Sequence, residues 1–409
     1  MKPTTTIPVL ENRRILLGVC GSIAVYKAAD LASMLTQAGV LVDVILSDAA
    51  QRFVTPLTFQ SVTGRHVYTD ADLWGAEAHV VHIGLSEAAD LLVVAPVTAH
   101  TMAKLAQGQA DSLLTITALA MERPLILAPA MDAGMFGHPA TQANLGVLRE
   151  RGAVVVGPTE GRMASGAVGL GRMVEPEELL GHIRLVLGRN GPLSDRSVLV
   201  TAGGTHEPID PVRAITNRSS GKQGFALAQA AVDRGAAVTL ISGPTHLQTP
   251  IGVQRIDIRT AKEMAEAVLS HVEGIDALLM AAAVADFRPE QRKESKIKRR
   301  KGVPKLTLKP TEDILEKVAK GRQQNGWPRV VVGFVAESQD LAANAKAKRE
   351  EKDLSMVVAN DITADDAGFE VDTNRVILVH EDGGIEEQPL MTKAEVAEVV
   401  LNCVVRLLS

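Results

Sequence analysis

Between Thr201 and Gly224 the sequence sets two glycine elements, Gly203-Gly204 and Ser219-Ser220-Gly221-Lys222, into one polar segment with Asn217 and Arg218 between them. Glycine lets backbone approach a ligand closely, and the free N–H groups of a following helix attract an anion. An apolar run, Ser197–Thr201, precedes the segment and a helix-like run, Phe225–Arg234, follows it. Strand, turn and helix in that order build anion sites. Either glycine element alone is ordinary turn chemistry, but a loop this long in a compact domain is usually functional or disordered. Pro208, Pro211 and the flanking apolar residues speak against disorder.

Other residues could serve the same chemistry. Arg292–Lys305 holds eight basic residues in fourteen, which suits a polyphosphate, a nucleic-acid patch or a solvated loop. No aromatic residues are interleaved for base stacking. Asp286 follows the apolar run Ala277–Val284, read as a strand, where a carboxylate could hold a metal or cap a helix. Lys348 and Lys352 stand four apart on one helix face, as either a ligand contact or a solvated stripe. Near the start, Gly18–Ala24 ends a strand and opens a helix, so Ser22 is a cap or a phosphate contact. His82 could move a proton at neutral pH, since free histidine titrates near ~6.5; a lone histidine is more often structural, and His79 lies close by.

The elements that must carry these residues alternate. Ile15–Cys20, Leu41–Leu46, Leu91–Ala95, Leu125–Ala128 and Ala153–Val156 suit buried parallel strands. Amphipathic stretches such as Tyr26–Gln37, Thr98–Gln107 and Thr141–Arg151 lie between them. Gly188–Pro192 reads as a linker, after which strands are expected at Ser197–Thr201, Ala237–Ser242, Ala277–Met280, Val330–Val335 and Met356–Asn360. Arg375–His380 and Ile385–Gln388 read as a terminal hairpin, and Thr392–Leu408 as a closing helix. The fold class is therefore α/β with two domains, 1–190 a doubly wound parallel sheet and 191–409 Rossmann-like.

The chain has 409 residues, 46% hydrophobic and 22% charged, which fits two globular domains. Its net charge of −5 offers no general attraction to nucleic acid or membranes. Two cysteines, Cys20 and Cys403, imply neither a disulfide framework nor a cysteine metal site. Met1–Arg14 lacks an apolar signal core, and no apolar run approaches the ~20 residues that span a bilayer. A cytoplasmic protein is expected. Neither glycine-bearing start has Gly-x-Gly-x-x-Gly with a properly spaced acidic ribose ligand, which argues against a dinucleotide oxidoreductase.

The segment through Asn217-Arg218-Ser219-Ser220-Gly221 closely resembles the signature of the phosphopantothenate–cysteine ligases. The resemblance continues through Asp286-Phe287-Arg288-Pro289, Lys296-Ile297-Lys298-Arg299 and Gly333-Phe334-Val335-Ala336-Glu337. Arg14–Pro176 is similar to the flavin-dependent phosphopantothenoylcysteine decarboxylases. Together they follow the order of the bacterial bifunctional coenzyme A enzymes.

The resemblance implies an FMN site at Gly21, Ser22, Ile23, Ser47, Pro96, Thr98 and Ala99, with His82 as the base. The cysteine end of 4′-phosphopantothenoylcysteine would be oxidised, lose carbon dioxide, and be reduced again to give 4′-phosphopantetheine. It further implies that the second domain activates 4′-phosphopantothenate with CTP and Mg2+ as an acyl-cytidylate, which cysteine then attacks. Lys296 would clamp the triphosphate, Asp286 the metal and substrate, and Asn217 the acyl nucleotide. Thr311, Glu312, Asp313, Ile314, Phe334, Lys348 and Lys352 would bind the nucleotide. Homo-oligomers are implied, trimeric through the flavin domain and dimeric through the ligase domain. A ligase with a non-catalytic flavin domain is the alternative.

Two positions depart from the family pattern. Asp132 stands where an asparagine meets the substrate carboxylate, and Ser165 where a flap cysteine serves the final reduction. An ionised Asp132 about 4 Å from that carboxylate would cost ~1 kcal/mol in water and ~4 at intermediate dielectric. It must be protonated, turned away or matched by a cation. The frames around both sites are intact, which favours a working variant over a dead domain.

Overall fold

Leu, Val and Ile on both faces of Arg14–Val19 fit a strand covered on both sides, and that strand is the centre of the first sheet. The computed structural model describes residues 7–74, 80–164, 166–298, 305–337, 340–361 and 371–409. Its contacts divide the chain into two units, Met1–Leu187 and Gly188–Ser409.

In the first unit β1 (Arg14–Val19) leads through α1 (Val25–Gln37) to β2 (Leu41–Leu46), α2 (Pro56–Thr63) and β3 (Val67–Tyr68). Then come α3 (Val81–Ala88), β4 (Leu91–Val97), α4 (Ala99–Gln107), α5 (Leu113–Ala120), β5 (Leu125–Pro129), α6 (Ala133–Phe136), α7 (Pro139–Glu150) and β6 (Val154–Val155). The six strands are parallel in the order β3-β2-β1-β4-β5-β6. Ile15, Leu17 and Val19 join the core on one face, and Leu16, Ile45 and Leu92 join the other. Winding reverses between β1 and β4, so a crevice opens at the carboxyl ends of those strands. A hairpin, β7 (Thr159–Arg162) with β8 (Val168–Arg172), and α8 (Pro176–Gly188) complete the region.

The second unit repeats the plan. β9 (Ser197–Ala202), β10 (His206–Asp210), β11 (Arg213–Thr216), α9 (Lys222–Val232), β12 (Ala237–Ser242), β13 (Val253–Asp257), α10 (Ala261–His271) and β14 (Ala277–Met280) form its first half. β15 (Phe287–Pro289), β16 (Leu308–Pro310), α11 (Ile314–Asn325), β17 (Val330–Glu337), α12 (Leu341–Glu351) and β18 (Met356–Asp361) follow. β19 (Thr373–Asn374), β20 (Val376–His380), β21 (Ile385–Glu387), β22 (Met391–Thr392) and α13 (Lys393–Leu408) close it. The eight-stranded sheet has the order β13-β12-β9-β14-β17-β18-β20-β21. Strands through β18 pair in parallel, and β20 and β21 add antiparallel to the edge.

Two expectations need correction. The segment after Thr201 is not one long loop, because His206–Asp210 and Arg213–Thr216 pair as a hairpin. The strand expected through Val284 ends at Met280. Past it, Ala282 N–H donates to Thr201 Oγ1 at 3.1 Å and Ala283 N–H to Gly203 O at 2.9 Å. Those bonds draw the chain toward the glycine loop, so Asp286 sits in a loop beyond the strand.

Candidate active sites

The second unit has a cavity of about 400 Å³ at the carboxyl edge of its sheet. Its wall includes Asp286, Thr311, Glu312, Asp313, Ile314, Phe334, Lys348 and Lys352, residues far apart in sequence. Thr311 is fixed by donating from Oγ1 to Ala285 O at 2.6 Å and from N–H to Asp286 O at 2.9 Å. Asp313 caps α11, its Oδ1 accepting from Glu316 N–H at 3.0 Å, and pairs through Oδ2 with Lys352 Nζ at 3.1 Å. Burial raises the Asp313 carboxyl, but the Glu316 N–H and Lys352 outweigh it and hold it below its ordinary range. Bonds to Glu351 and Asp313 in turn raise Lys352. Lys317 engages Glu312 at 2.7 Å and lowers its carboxyl. Lys352 follows the last residue of α12, so the expected shared helix face with Lys348 holds only in part.

The glycine loop also contributes to the lining. Gly224, in the first turn of α9, lies so close to β9 that a Cβ there would stand 2.5 Å from the Ala202 Cβ. That approach brings Ser219, Ser220, Gly221 and Lys222 to the cavity. Asn217 is exposed outside the lining and donates from Nδ2 to Ala283 O at 2.9 Å, against the cavity wall.

Lys296 is exposed and does not reach the lining. Its neighbour Ile297 is pinned, however, because its N–H donates to Asp210 Oδ2 at 3.1 Å. Asp210, with no exposed side-chain surface, also accepts Val212 and Arg213 N–H through Oδ1, each at 2.9 Å. Burial raises this carboxyl, and the three N–H bonds with Arg213 bring it below the ordinary value. Part of the basic run, residues 299–304, lies outside the described residues.

Sequence reading missed Gln223, Asn360, Asn374 and Lys393, which also line the cavity. Gln223 Oε1 and Asn360 Oδ1 are buried acceptors with no hydrogen-bond partner among the described residues. Asn360 is the last residue but one of the apolar strand β18, and that placement at a carboxyl edge was its one available signal.

In the first unit the loops after β1, β2 and β4 meet at the switch point. Ser22 Oγ accepts from Ala24 N–H at 3.3 Å, and Ser47 Oγ donates to Val19 O at 3.1 Å. Cys20 N–H donates to Pro96 O at 3.1 Å, tying the loop after β1 to the end of β4. Thr98 caps α4, accepting from Thr101 N–H at 3.3 Å. Cys20 is buried and donates to Thr101 Oγ1 at 3.2 Å, and burial raises its thiol. Gly21 and Ala99 are half-buried, whereas Ile23 is 64% exposed.

His82 lies in the first turn of α3. Two residues separate that helix from β4, so it runs back along the sheet with its first turn toward the carboxyl edge. Among the described residues His82 Nδ1 is buried without a hydrogen-bond partner, a polar atom that a bound ligand would satisfy. Serine hydroxyls, helix starts and an orphaned imidazole nitrogen fit a phosphate-bearing flavin. His79 and Ser165 lie outside the described residues.

Asp132 caps α6, its Oδ1 accepting from Gly134 N–H at 3.0 Å. Asparagine and aspartate perform that task alike, so the local fold accommodates either residue. The β7–β8 hairpin lies on this loop. Met131 N–H donates to Gly171 O at 3.0 Å, and a Cβ at Gly171 would stand 2.2 Å from Met131 O. Lys27, 2% exposed on α1, anchors the chain after the hairpin by donating to Met173 O at 2.7 Å and pairing with Glu175 at 3.0 Å. Sequence reading gave Lys27 no role.

Comparison with known proteins matches residues 6–188 to the family described as Flavoprotein. Residues 193–408 match the DNA/pantothenate metabolism flavoprotein C-terminal domain. The chain is 44% identical over 397 residues to the coenzyme A biosynthesis bifunctional protein CoaBC of Bacillus subtilis (strain 168), covering 96% of this chain and 97% of that protein. It is 42% identical over 409 residues to the protein of that name from Mycobacterium tuberculosis (strain ATCC 25618 / H37Rv), with 97% of each covered. A crystal structure of the C-terminal domain of a coenzyme A biosynthesis bifunctional protein CoaBC is 37% identical, covers 53% of this chain and 98% of its own, and has a TM-score of 0.46. Alike over nearly its whole length and matched by both domain families, the chain belongs to the family of coenzyme A biosynthesis bifunctional proteins.

Proposed function

We propose that this chain makes 4′-phosphopantetheine from 4′-phosphopantothenate and cysteine, with domains divided at 190/191. The observation that carries the reading is the cavity, which gathers Asp286, Thr311–Ile314, Phe334, Lys348 and Lys352 from separate segments. In the ligase step the carboxylate of 4′-phosphopantothenate attacks the α-phosphorus of CTP and pyrophosphate leaves. The cysteine amine then attacks the acyl carbon, and CMP leaves. Phe334 offers an aromatic face to the base, and Lys348 and Lys352 offer cations. Asn217 orients the acyl nucleotide, and Lys296 meets the phosphates from its pinned segment. Among the described residues no three His, Cys, Asp or Glu side chains gather to hold a metal. Mg2+ would therefore be held mostly by the nucleotide's own oxygens, with Asp286 as its protein ligand.

In the first unit Gly21, Ser22, Ile23, Ser47, Pro96, Thr98 and Ala99 would hold FMN. The bound cofactor supplies reversible two-electron oxidation. His82 would move the proton that accompanies oxidation of the cysteine end, Asp132 would face the substrate carboxylate, and Ser165, between β7 and β8 in the sequence, would serve the closing step. Small phosphorylated substrates and the absence, among the described residues, of a helix able to cross a membrane agree with a cytoplasmic enzyme. Homo-oligomers, without nucleic-acid or membrane partners, complete the reading. The purified protein, given 4′-phosphopantothenate, cysteine, CTP and Mg2+, should yield 4′-phosphopantothenoylcysteine and then 4′-phosphopantetheine by mass. Ligation without carbon dioxide release would instead support the scaffold alternative.

A further inference from the structure

Lysine is a poor choice for the first residue of a helix, because the unpaired N–H groups there already carry partial positive charge. Yet α9 begins with Lys222 and α13 with Lys393, and both lysines line the cavity. The first turn of α9 holds no acidic residue. Lys393 is only 7% exposed.

The two helix starts are tied together. Gln223 Nε2 donates to Lys393 O at 3.1 Å, and Lys393 N–H donates to Asp372 O at 3.0 Å. The exposed Asp372 carboxylate pairs with Lys222. Burial, and after it the charge of Lys222, pull Lys393 below the ordinary lysine value, against the pull of Asp372. Two lysines from the starts of two helices thus line one cavity, close enough for the charge of Lys222 to act on Lys393. Charge of that sign, held at a cost in burial, suits a polyanion.

We propose that Lys393, acting with Lys222, binds the β- and γ-phosphates of the nucleotide and neutralises pyrophosphate as it leaves. The proposal rests on the CTP-dependent ligase reading. When the carboxylate oxygen bonds to the α-phosphorus, the bond from that phosphorus to the bridging oxygen breaks, and its electron pair stays on pyrophosphate. Negative charge grows at the β-phosphate, where fixed cations gain most.

Titration of the full-length protein with CTP, CMP and inorganic tripolyphosphate, each with Mg2+, tests this. Lys393→Met should weaken CTP and tripolyphosphate about tenfold or more, and CMP less than about twofold, because CMP lacks the two outer phosphates. Lys393→Arg should recover most of the loss. Equal weakening of CTP and CMP would show a structural role and overturn the proposal, as would unchanged tripolyphosphate binding. If thermal melting shows Lys393→Met unfolded, Lys222→Met on the more exposed partner must give the same preference for CTP loss over CMP loss; its failure overturns the proposal equally. Wild-type protein that binds tripolyphosphate through Lys393 but not CTP would remove the cytidine reading and leave the subsite standing. Wild-type protein that binds neither would remove both.

Discussion

In the C-terminal unit Lys352 meets Asp313 at 3.1 Å in the wall of a cavity that one chain lines by itself. In the N-terminal unit Ile23 and Tyr26, each 64% exposed, stand beside the loop after β1, and Met135 and Val168 are 52% and 72% exposed near the hairpin. The first site has most of its walls within one unit. The second presents apolar side chains to solvent around its polar groups, as a surface does when something else is meant to cover it. A flavin ring and a second copy of the chain are the covers proposed. The contrast predicts that the ligase site should respond to changes in its own wall, and the decarboxylase site to changes in what holds its loops.

The largest effects should separate the two units. His82→Asn should slow carbon dioxide release from 4′-phosphopantothenoylcysteine by about a hundredfold or more, with ligation unchanged. Parallel loss of both activities would mean that His82 serves folding. Lys296→Gln should stop acyl-cytidylate formation and leave decarboxylation of supplied 4′-phosphopantothenoylcysteine intact. Normal ligation in that variant would return the pinned basic segment to a solvated face.

Gly171→Ala should act next most strongly, and on the first unit alone. Its Cβ would meet Met131 O at 2.2 Å, so the hairpin must lift from the Asp132 loop. Such overpacking costs about 1–3 kcal/mol. Decarboxylation should fall about tenfold or more on that scale, with the melting transition of the first unit lowered. Unchanged decarboxylation would mean that the hairpin's seat on residues 131–133 has no part in the reaction.

Lys352→Met should be milder, raising the KM for CTP about fivefold to tenfold. Asp313 is held below the ordinary carboxylate value, so its half of the pair persists above that range and is lost as pH falls through the depressed value. Lys352 is raised, so its half is complete below the ordinary lysine value and is lost as pH rises through the raised one. The penalty for Lys352→Met should therefore stay constant from about pH 6 to about pH 9. A penalty that changed across that window would assign the effect to another group.

The units also differed in how far sequence could be read. Both sheets follow from apolar runs spaced by helical stretches, because burial on both faces leaves a plain pattern. Thr392 announces α13 through its capping box with Glu395. The β10–β11 hairpin stayed hidden behind two prolines and a turn that Asp210 holds from a buried position. Lys27 and Lys393 gave no signal, since a lysine's burial depends on partners more than a hundred residues away, such as Met173 and Gln223. Residues carried by a contiguous motif were legible; those whose place depends on a distant segment were not.

The smallest effect should come from Ser165→Cys. In the proposed mechanism carbon dioxide release needs His82 and the flavin, and neither depends on this side chain. The final reduction also needs a proton. A thiol titrating near ~8.5 supplies one readily, and a serine hydroxyl does so poorly. If a water or another acid already serves, the cysteine variant should change overall turnover by less than about threefold. The proposed mechanism favours that outcome, since Gly171 still seats the hairpin on the Asp132 loop and Lys27 still anchors the chain behind it. Mass analysis of a stopped reaction decides, because an enzyme stalled before reduction releases an ene-thiol two hydrogens lighter than 4′-phosphopantetheine. Accumulation of that lighter product in the wild type, with its disappearance in Ser165→Cys, would show that serine halts the sequence halfway. Only 4′-phosphopantetheine from both proteins would show that the proton comes from elsewhere.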